Sequence, residues 1–531
     1  MTIERVIVKN YRALRQTQVP LNGNLNVIVG DNESGKSTLL EAINLALKCQ
    51  LNRRPAAYEL HPFLFNAETV AEFIASHKAG APQAPPEILI ELYFANTPDF
   101  ADLKGTNNCE RADLPGISLT IGLDPNFQEE YRDYVADPAQ LNSVPVEYYH
   151  IVWQSFAGHP MSARALPLRS ALIDPSAITN TYAANKYVLE IVKDYLTVKQ
   201  RVDLALSYRS MRDVFLSDDS VRAINTELAS KTGVVSDKIL SVAMDTTTRA
   251  SWETGVLPHL DDIPLTLVGK GEQNAVKIKL AIEAADACAI LLMEEPENHL
   301  SHANLNKLIS HLADKSEGKQ LIATTHSSFV LNKLGVDHIL MFSGETAVTL
   351  DDLPASTRDY FKKLPGHDTL RMILSTRTIL VEGPSDELVV QKAYYQTHGK
   401  MPLQDGVEVI AVNALAFKRF LDIARLLQIR TCVVTDNDGD ADAVTAKYAD
   451  YAEVDTITIC FDPDEAYPAL EPQLLKANGR AKLNSILGTA YEDEDPLLKH
   501  MGGNNKVKTA LKIFDSAEAF TVPEYIGNAI R

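Results

Sequence analysis

The chain has 531 residues, an apolar content of 45% and a formal net charge of −19. A prior of roughly 150 residues per domain predicts about three domains. No window approaches the ~18 apolar residues of a membrane span, and the first residues lack the pattern of a signal peptide, so we expect a soluble, cytoplasmic protein. The acidic charge argues against a nonspecific DNA coat, but it is compatible with a nuclease that has a local basic groove.

The cysteines are few, and their spacing carries information. Their number is odd, they are far apart in the sequence, and none forms a C-x-x-C pair. This argues against a disulfide framework and against a zinc site. We expect all of them to be buried small apolar residues: Cys49, Cys109, Cys288, Cys432 and Cys460.

Strand-like and helix-like patterns alternate along most of the chain. Residues 1–48 predict strand, turn, strand, loop and helix, with "RVIVKNY", "LNVIV" and "STLLEAINLALKC" as the elements. A Pro-rich loop at 80–86 precedes the strand-like runs "EILIELYF", "ISLTIGL" and "VEYYHIVWQSF". Residues 180–245 are helical and polar in pattern, whereas 262–350 alternate again, with strands "AILLM" and "QLIATT". A last region begins with the strand "TILV" and continues to residue 531. The alternation predicts α/β layers with mainly parallel sheets.

The stretch "VIVGDNESGKSTLLEAI" contains the pattern G-x-x-x-x-G-K-S between a predicted strand and a predicted helix. Gly30 and Gly35 allow the backbone to wrap phosphates closely, and the helix N-terminus adds free N–H groups. Lys36 is expected to reach the β and γ phosphates of ATP, and the Ser37 hydroxyl to bind Mg²⁺. The alternative is a chance Gly-rich turn. The predicted nucleotide contacts in this loop also include Asn32 and Thr38.

The stretch "AILLMEEPENHLS" supplies the second half of a nucleotide site. Five apolar residues predict a buried strand, and two acids follow at its C-terminal end, where α/β sheets place ligands. Glu294 is suited to hold Mg²⁺, directly or through water, and Glu295 to polarise the attacking water. The alternative is a solvated helix start, since acids favour a first helical turn.

Two further motifs resemble the SMC/ABC class of ATPases. A turn, Gly269-Lys270-Gly271, precedes an amphipathic helix, and "IATTHSS" ends a strand with His326. The resemblance implies that the turn and helix are the signature motif, although "GKGEQ" departs from the common S-G-G-Q. It also implies that ATP lies between two protomers, where Gly269, Gly271 and Gln273 of one complete the site of the other and His326 contacts the γ-phosphate. A lone histidine at a strand end also serves as a structural hydrogen-bonding residue.

Two more predicted strands end in acids. "TRTILVEGPSDEL" places Glu382 at a strand tip and Asp386 in the first turn of the next helix, and "TCVVTDNDGD" places Asp436 and Asp438 after another strand. If the two strands are neighbours in a parallel sheet, these four carboxylates converge at one edge. Divalent cations would neutralise them, and hard oxygen ligands suit Mg²⁺ or Mn²⁺.

The second acidic stretch has two other interpretations. A calcium loop is rejected, because "DNDGDADAVTAK" has Ala441 where the loop requires Gly and Lys447 where it requires Glu. The remaining alternative is an acidic surface turn.

The order E-G-x-x-D, then D-x-D, resembles the Toprim domain, and a Toprim domain behind an ABC-type ATPase resembles the OLD (overcoming lysogenization defect) family. These are ATP-dependent nucleases often found in phage defence. The resemblance implies an α/β fold, with an ABC/SMC-like ATPase head that carries a helical insertion, followed by a Rossmann-like Toprim domain. The implied boundaries are 1–178 and 249–356 for the ATPase, 179–248 for the insertion and 374–531 for the Toprim domain.

The same resemblance predicts two more catalytic residues. A further acid usually follows D-x-D, and Glu471 is the candidate, with Glu465 as its rival. A lysine usually precedes a C-terminal helix, and Lys506 is the candidate, with Lys508 as its rival. Lys506 would stabilise charge on the phosphate or on the leaving oxygen.

The implied activity is metal-dependent DNA endonuclease or nickase action, with ATP regulating access. A topoisomerase would need a tyrosine nucleophile on a separate DNA-binding domain, and a primase usually carries a zinc module. A third alternative is an ATP-gated DNA sensor or clamp whose Toprim domain is not catalytic. Cross-protomer ATP sites predict a homo-oligomer, a dimer or a tetramer, and a regulatory protein or nucleic-acid partner is compatible with defence nucleases of this kind.

Overall fold

The structure is a computed structural model of the chain. It describes residues 1–30, 34–52, 54–162, 165–174, 189, 192, 196–230, 238–243, 256–284, 288–298, 300–301, 303–307, 310, 318–327, 330, 339–343, 346–349, 353–363, 371–373, 375–412 and 416–531. The predicted boundaries at 178, 248 and 374 lie outside these residues, as does Asn32.

The strands are Ile3–Tyr11 (β1), Leu14–Pro20 (β2), Leu25–Val29 (β3), Gln50–Leu51 (β4), Arg54–Pro55 (β5), Ile88–Phe94 (β6), Lys104–Gly105 (β7), Leu114–Leu123 (β8), Tyr149–Ser155 (β9), Ser170–Ile173 (β10), His259–Leu260 (β11), Ile263–Pro264 (β12), Ile290–Glu294 (β13), Gln320–Thr324 (β14), Ile339–Ser343 (β15), Thr346–Thr349 (β16), Arg377–Val381 (β17), Val407–Ala411 (β18), Arg430–Val434 (β19) and Ile457–Cys460 (β20).

The α-helices are Lys36–Lys48 (α1), Ala67–Lys78 (α2), Gln128–Val135 (α3), Val198–Ser217 (α4), Asp219–Ser230 (α5), Lys270–Ala284 (α6), Ala355–Lys363 (α7), Pro384–His398 (α8), Phe417–Leu427 (α9), Ala441–Lys447 (α10), Leu470–Leu487 (α11), Glu494–Met501 (α12), Lys506–Asp515 (α13) and Glu524–Ile530 (α14). Each predicted strand named above is found in the structure, and the helix predicted after the Gly-rich loop is α1.

The chain folds into two compact units. The first comprises Met1–Gln16, Pro20–Asn26 and Ser37–Thr325, and the second comprises Thr17–Val19, Val27–Lys36 and His326–Arg531.

The first unit mixes antiparallel and parallel pairing. β1, β6, β8 and β9 pair antiparallel in that order, whereas β10, β13 and β14 pair parallel. The Gln320 side chain exchanges hydrogen bonds with the backbone of Ile3, with N···O distances of 2.8 and 2.7 Å. The prediction of mainly parallel sheets is therefore wrong for these four strands, because an apolar run in a sequence does not reveal the direction of its strand.

The second unit contains a sheet in which all pairs are parallel, in the order β18-β17-β19-β20. Its central strands, β17 and β19, each end in three buried apolar residues, and Ile379, Leu380 and Val381 of β17 are fully buried. Burying each such side chain contributes about 1.5–3 kcal/mol. Apolar residues of α8, α11, α13 and α14 pack with alternate residues of the sheet into one core. The same unit holds residues 27–29 of β3 paired parallel with β15.

The cysteines do not share one environment. Cys432 and Cys460 are buried, with their sulfur atoms 3.3 Å apart on adjacent strands. Cys109 is exposed, and Cys49 and Cys288 are half-buried. The prediction that all five are buried is wrong for these three, because each lies next to a loop or a helix end rather than in a central strand. Over the residues that the structure describes, no helix combines the length and apolarity that crossing a bilayer requires.

Candidate functional site

The two acid-tipped strands of the second unit are direct neighbours. Val381 of β17 pairs with Val434 of β19, so that Glu382 and Thr435 leave the sheet side by side. The Thr435 hydroxyl donates a hydrogen bond of 2.6 Å to Glu382 Oε1, and the Asp436 backbone N–H donates one of 3.1 Å to the same oxygen. The structure therefore brings Glu382 and Asp436 together, and it fixes the Glu382 carboxylate from two directions.

Asp386 joins these acids from the first turn of α8. Pro384 opens this helix, where a missing N–H is tolerated. Burial raises the pKa of Asp386 to about 6, with Glu382 the next cause. Burial also raises the pKa of Asp436 to about 8, reinforced by Asp386 and Glu382 and opposed by Lys506. Shifts of this direction mean that the carboxylates repel one another in a partly desolvated place.

Glu382, Asp386 and Asp436 form an acid cluster, and the predicted pair of Glu471 and Lys506 interacts with it. Glu471, in the first turn of α11, is buried, and its Oε2 lies 3.3 Å from the Nζ of Lys506, the first residue of α13. The ammonium of Lys506 also interacts with Asp436 and Asp386, and its pKa is raised. The rivals lie elsewhere: Glu465 accepts a hydrogen bond from a backbone N–H at 441, and Lys508 is exposed on α13.

Asp438 differs from the other acids, because its side chain is exposed. It lies in the turn after Asp436 with a φ of +48°, a region that non-glycine residues rarely adopt. The buried side chain of Asn437 fixes this turn: its Nδ2 donates to the carbonyls of Asp462 and Asp464 at 2.7 and 3.0 Å. Asp438 therefore lies two residues after Asp436 in the chain, but its side chain is exposed to solvent.

Sequence reasoning missed Thr435 and Asn437. Both are buried polar residues, exposed by 4% and 3% respectively, directly after an apolar strand. A buried polar residue needs a hydrogen-bond partner. The sequence therefore does indicate these residues, because they are polar residues placed between the acids. Their hydrogen-bond partners, however, lie 25 to 53 residues away in the chain and cannot be read from the local sequence.

The donor set suits a hard divalent cation in its chemistry, because carboxylate oxygens are the ligands that Mg²⁺ and Mn²⁺ prefer. The raised pKa of Asp436 agrees, since a cation would relieve the repulsion that causes it. Within the described parts of the chain, however, no three Asp, Glu, His or Cys side chains are arranged to hold one ion. The acids of the described residues are neighbours, but their oxygens do not surround one common position for an ion.

A cavity of about 530 Å³ opens at the end of β20, and Asp462 and Asp464, whose backbone carbonyls accept hydrogen bonds from Asn437, lie on its wall. Lys476 forms ion pairs of 3.0 Å with both Asp462 and Asp464 on its wall. Tyr525 of α14 also borders this cavity.

The Gly-rich loop has the features of a phosphate-binding turn. Gly30 is required by packing, since a Cβ there would lie 2.2 Å from the carbonyl oxygen of Phe342 in β15. Gly35 has a φ of +96°, which favours glycine. The Lys36 side chain is buried, and its Nζ donates to the Gly30 carbonyl at 2.9 Å. Ser37 and Thr38 open α1, so their backbone N–H groups belong to the helix N-terminus.

The second acid pair ends β13. Burial raises the pKa of Glu294, neighbouring acids add to this, and a hydrogen bond with the Ser37 hydroxyl opposes it. Glu295 has a strained φ of +38°, its N–H donates to the Thr324 carbonyl at 3.0 Å, and Asn298 donates to its carboxylate at 2.7 Å. Such strain is often stored at functional sites.

The predicted signature turn is shorter than expected. The helix α6 begins at Lys270, which places Gly271 inside its first turn rather than in a loop before it. The Gln273 side chain folds back, and its Nε2 donates to the Val268 carbonyl at 2.7 Å. His326 lies in the segment that follows β14.

Comparisons with known proteins cover both halves of the chain. Residues 1–103 match the model of an AAA ATPase domain. Residues 182–332 match a model of an AAA domain described for the AbiEii toxin of a type IV toxin–antitoxin system. Residues 373–438 match the TOPRIM domain model of overcoming-lysogenization-defect-like proteins.

Individual relatives are distant. Endonuclease GajA of Bacillus cereus (strain VD045) is 20% identical over 468 residues, which cover 82% of this chain and 75% of the relative. The DNA replication and repair protein RecF of Halothermothrix orenii is 22% identical over 375 residues, covering 64% of this chain and 96% of that protein. A solved SMC head domain from Thermotoga maritima covers 66% of this chain and 99% of its own length at 13% identity, with a TM-score of 0.30 that supports no further argument.

The matched models follow one another in the order that the motifs predict. An ATPase model covers the Gly-rich loop, a second covers the acid pair after β13, and the Toprim model covers both acid-tipped strands of the parallel sheet. The chain therefore joins ATPase-type sequence to a C-terminal Toprim domain of the OLD-like type, an arrangement similar to that of the OLD family.

Proposed function

We propose that this protein is an ATP-regulated, metal-dependent DNA endonuclease or nickase that acts in anti-phage defence. The observation that carries the proposal is the pair of hydrogen bonds from Thr435 and Asp436 to Glu382, which joins two acidic strand tips. The name of the relative GajA, an endonuclease, supports the reaction class.

The residues of the acid cluster have different proposed roles. Mg²⁺ or Mn²⁺ bound there would activate water and steady the leaving 3′ oxygen. Glu382, Asp386, Asp436 and the exposed Asp438 are the proposed ligands. Glu471 is proposed as a further catalytic acid, and its ion pair holds Lys506 in place. Lys506 opposes the negative charge that develops on the phosphate.

The ATPase residues are proposed to control access to the DNA rather than to supply bond energy. Lys36 binds the β and γ phosphates, Ser37 and Glu294 hold Mg²⁺, and Glu295 orients the attacking water. The further proposed ATP contacts are Gly30, Asn32, Gly35, Thr38, Gly269, Gly271, Gln273 and His326.

The segment 179–248, set between the ATPase parts 1–178 and 249–356, is proposed to mediate self-association into a dimer or a tetramer. Its described helices carry large apolar side chains in solvent, with Val198, Met211 and Val214 exposed by 76%, 66% and 66%. Exposed apolar surface of this kind marks interaction sites. A regulatory protein or a nucleic acid is proposed as a further partner.

The test is cleavage of plasmid DNA in Mg²⁺ or Mn²⁺ by the wild type and by Glu382→Ala and Asp436→Ala. We expect both variants to lose activity while they still hydrolyse ATP. Asp442→Asn, which changes an exposed acid in the first turn of α10, is the matched control and should cleave normally. Cleavage retained by either alanine variant would refute the assignment.

A second candidate is an ATP-gated DNA sensor or clamp with a noncatalytic Toprim domain. It is favoured by the lack of a closed three-ligand arrangement among the described residues. It predicts ATP-dependent DNA binding with no cleavage in either metal, so the same assay discriminates the two functions.

A further inference from the structure

Thr435 is a buried polar residue that directly follows β19 and precedes Asp436. Its hydroxyl donates a hydrogen bond of 2.6 Å to Glu382 Oε1, across a separation of 53 residues in the chain. A hydroxyl that donates to a carboxylate at this length forms one of the stronger hydrogen bonds in proteins. Because Thr435 is buried, water competes little for this bond. The Thr435 side chain therefore fixes a group of the acid cluster rather than its own strand.

A second buried threonine of the same strand shows a structural use of this side chain. Thr431, the second residue of β19, donates from its hydroxyl to the backbone carbonyl of Ile429 at 3.1 Å, only two residues away. The Thr435 hydroxyl also has a local backbone acceptor, the carbonyl of Asp436 at 3.4 Å. Its bond to Glu382 is shorter by 0.8 Å, so the carboxylate is the main acceptor of the Thr435 hydroxyl.

The two bonds to Glu382 determine which of its oxygens remains available to a ligand. Oε1 accepts both the Thr435 hydroxyl and the Asp436 backbone N–H. Among the residues that the structure describes, none donates a hydrogen bond to Oε2. A carboxylate with one oxygen bonded twice has little freedom to rotate. A ligand that is oriented in advance loses less conformational freedom when it binds a cation.

We propose that Thr435 is a positioning residue, which orients Glu382 so that this carboxylate binds the divalent cation through Oε2 alone. The inference rests on the proposed metal-dependent function and adds a residue that lies outside both acidic motifs. The Asp436 backbone N–H is present whatever side chain stands at position 435, so the threonine hydroxyl is the part of the arrangement that a substitution can remove. Loss of a group that orients a metal ligand typically lowers metal affinity or activity by roughly 10- to 100-fold.

The experiment measures Mn²⁺ affinity of the ATP-free full chain by electron paramagnetic resonance, for the wild type and for three variants of Thr435. Thr435→Val removes the hydroxyl and should bind Mn²⁺ roughly tenfold more weakly. Thr435→Ser restores a hydroxyl at the same position and should bind like the wild type. Thr435→Ala should match Thr435→Val, because the loss depends on the missing hydroxyl and not on how the valine methyl fits.

Thr431→Val is the matched control, since it removes a buried threonine hydroxyl from the same strand. Its melting temperature in EDTA should fall, because a buried hydrogen bond is lost, while its Mn²⁺ affinity stays that of the wild type. Unchanged Mn²⁺ affinity of Thr435→Val overturns the inference. So does a loss of affinity that Thr435→Ser or Thr431→Val shares, because the effect would then not depend on the hydroxyl beside Glu382.

Cleavage of plasmid DNA separates this inference from the function on which it rests. Thr435→Val should need about tenfold more Mn²⁺ than the wild type for half-maximal cleavage. A wild type that binds Mn²⁺ but cleaves DNA in neither metal overturns the proposed endonuclease function. The comparison of Mn²⁺ affinities still decides the role of Thr435 in that case, because it does not depend on cleavage.

Discussion

Asp436→Asn isolates the charge crowding at the strand tips. The substitution removes one negative charge but keeps the backbone N–H that bonds Glu382. Burial, Asp386 and Glu382 raise the pKa of Asp436 from 3.8 to about 8. Because the pKa of Asp436 is higher in the folded than in the unfolded state, folding favours the protonated carboxyl. The resulting stabilisation is fully present below the unfolded-state pKa, and it is lost as the pH rises through about 8. The neutral variant should escape that loss.

The magnitude follows from the shift. Roughly four pKa units at about 1.4 kcal/mol each set an upper bound near 6 kcal/mol. Asp436 is partly exposed and coupled to Asp386, so solvent screening reduces the expected value to about 2 kcal/mol at pH 8. At pH 5 the difference between variant and wild type should be about a third as large, because little of the ionisation window has been crossed.

The assay is urea unfolding of the metal-free protein at pH 5 and pH 8, with EDTA present. We expect Asp436→Asn to be more stable than the wild type, and more so at pH 8. Asp438→Asn removes an exposed acid two residues away and should leave stability unchanged. Equal stability of Asp436→Asn and wild type at pH 8, or a destabilised variant, would show that these carboxylates do not repel one another as described.

Three further predictions concern the loop and the lysines. Lys36→Ala should weaken ATP binding at least roughly 100-fold by isothermal titration calorimetry, since the phosphates lose a buried cation; unchanged affinity would contradict its role. Gly30→Ala should lower unfolding stability by about 1–3 kcal/mol, because the new methyl meets a β15 carbonyl; calorimetry showing a stable variant would disprove the close approach. Lys506→Ala should cut DNA cleavage by roughly 100-fold and leave Glu471 buried without its cation, whereas Lys508→Ala should cleave normally; equal effects would reverse the assignment.

The strand tips were predictable because parallel neighbours end at one edge. An apolar run followed by acids occurs twice, before Glu382 and before Asp436, and the register of β17 with β19 brings the two together. The same argument located the acids after β13. In each case an apolar run followed by acids predicted a strand with acids at its tip. The pairing of the strands in the sheet then determined which acids are neighbours.

Other features depended on contacts that a sequence does not state. Choosing Glu471 over Glu465 required the ion pair with Lys506, 35 residues further on. The antiparallel strands of the first unit were missed because apolar runs do not reveal strand direction, and the start of α6 at Lys270 shows that a glycine pair does not mark a helix boundary by itself.

The most direct measurement of the central claim is Mn²⁺ binding to the ATP-free protein, followed by electron paramagnetic resonance. The wild type and a Glu382→Gln, Asp436→Asn double variant would be titrated side by side at pH 8. If the two strand tips form a divalent-cation site, the double variant should bind Mn²⁺ at least roughly tenfold more weakly, since hard cations need the carboxylate oxygens that it lacks. Superimposable binding curves for the two proteins would contradict the account.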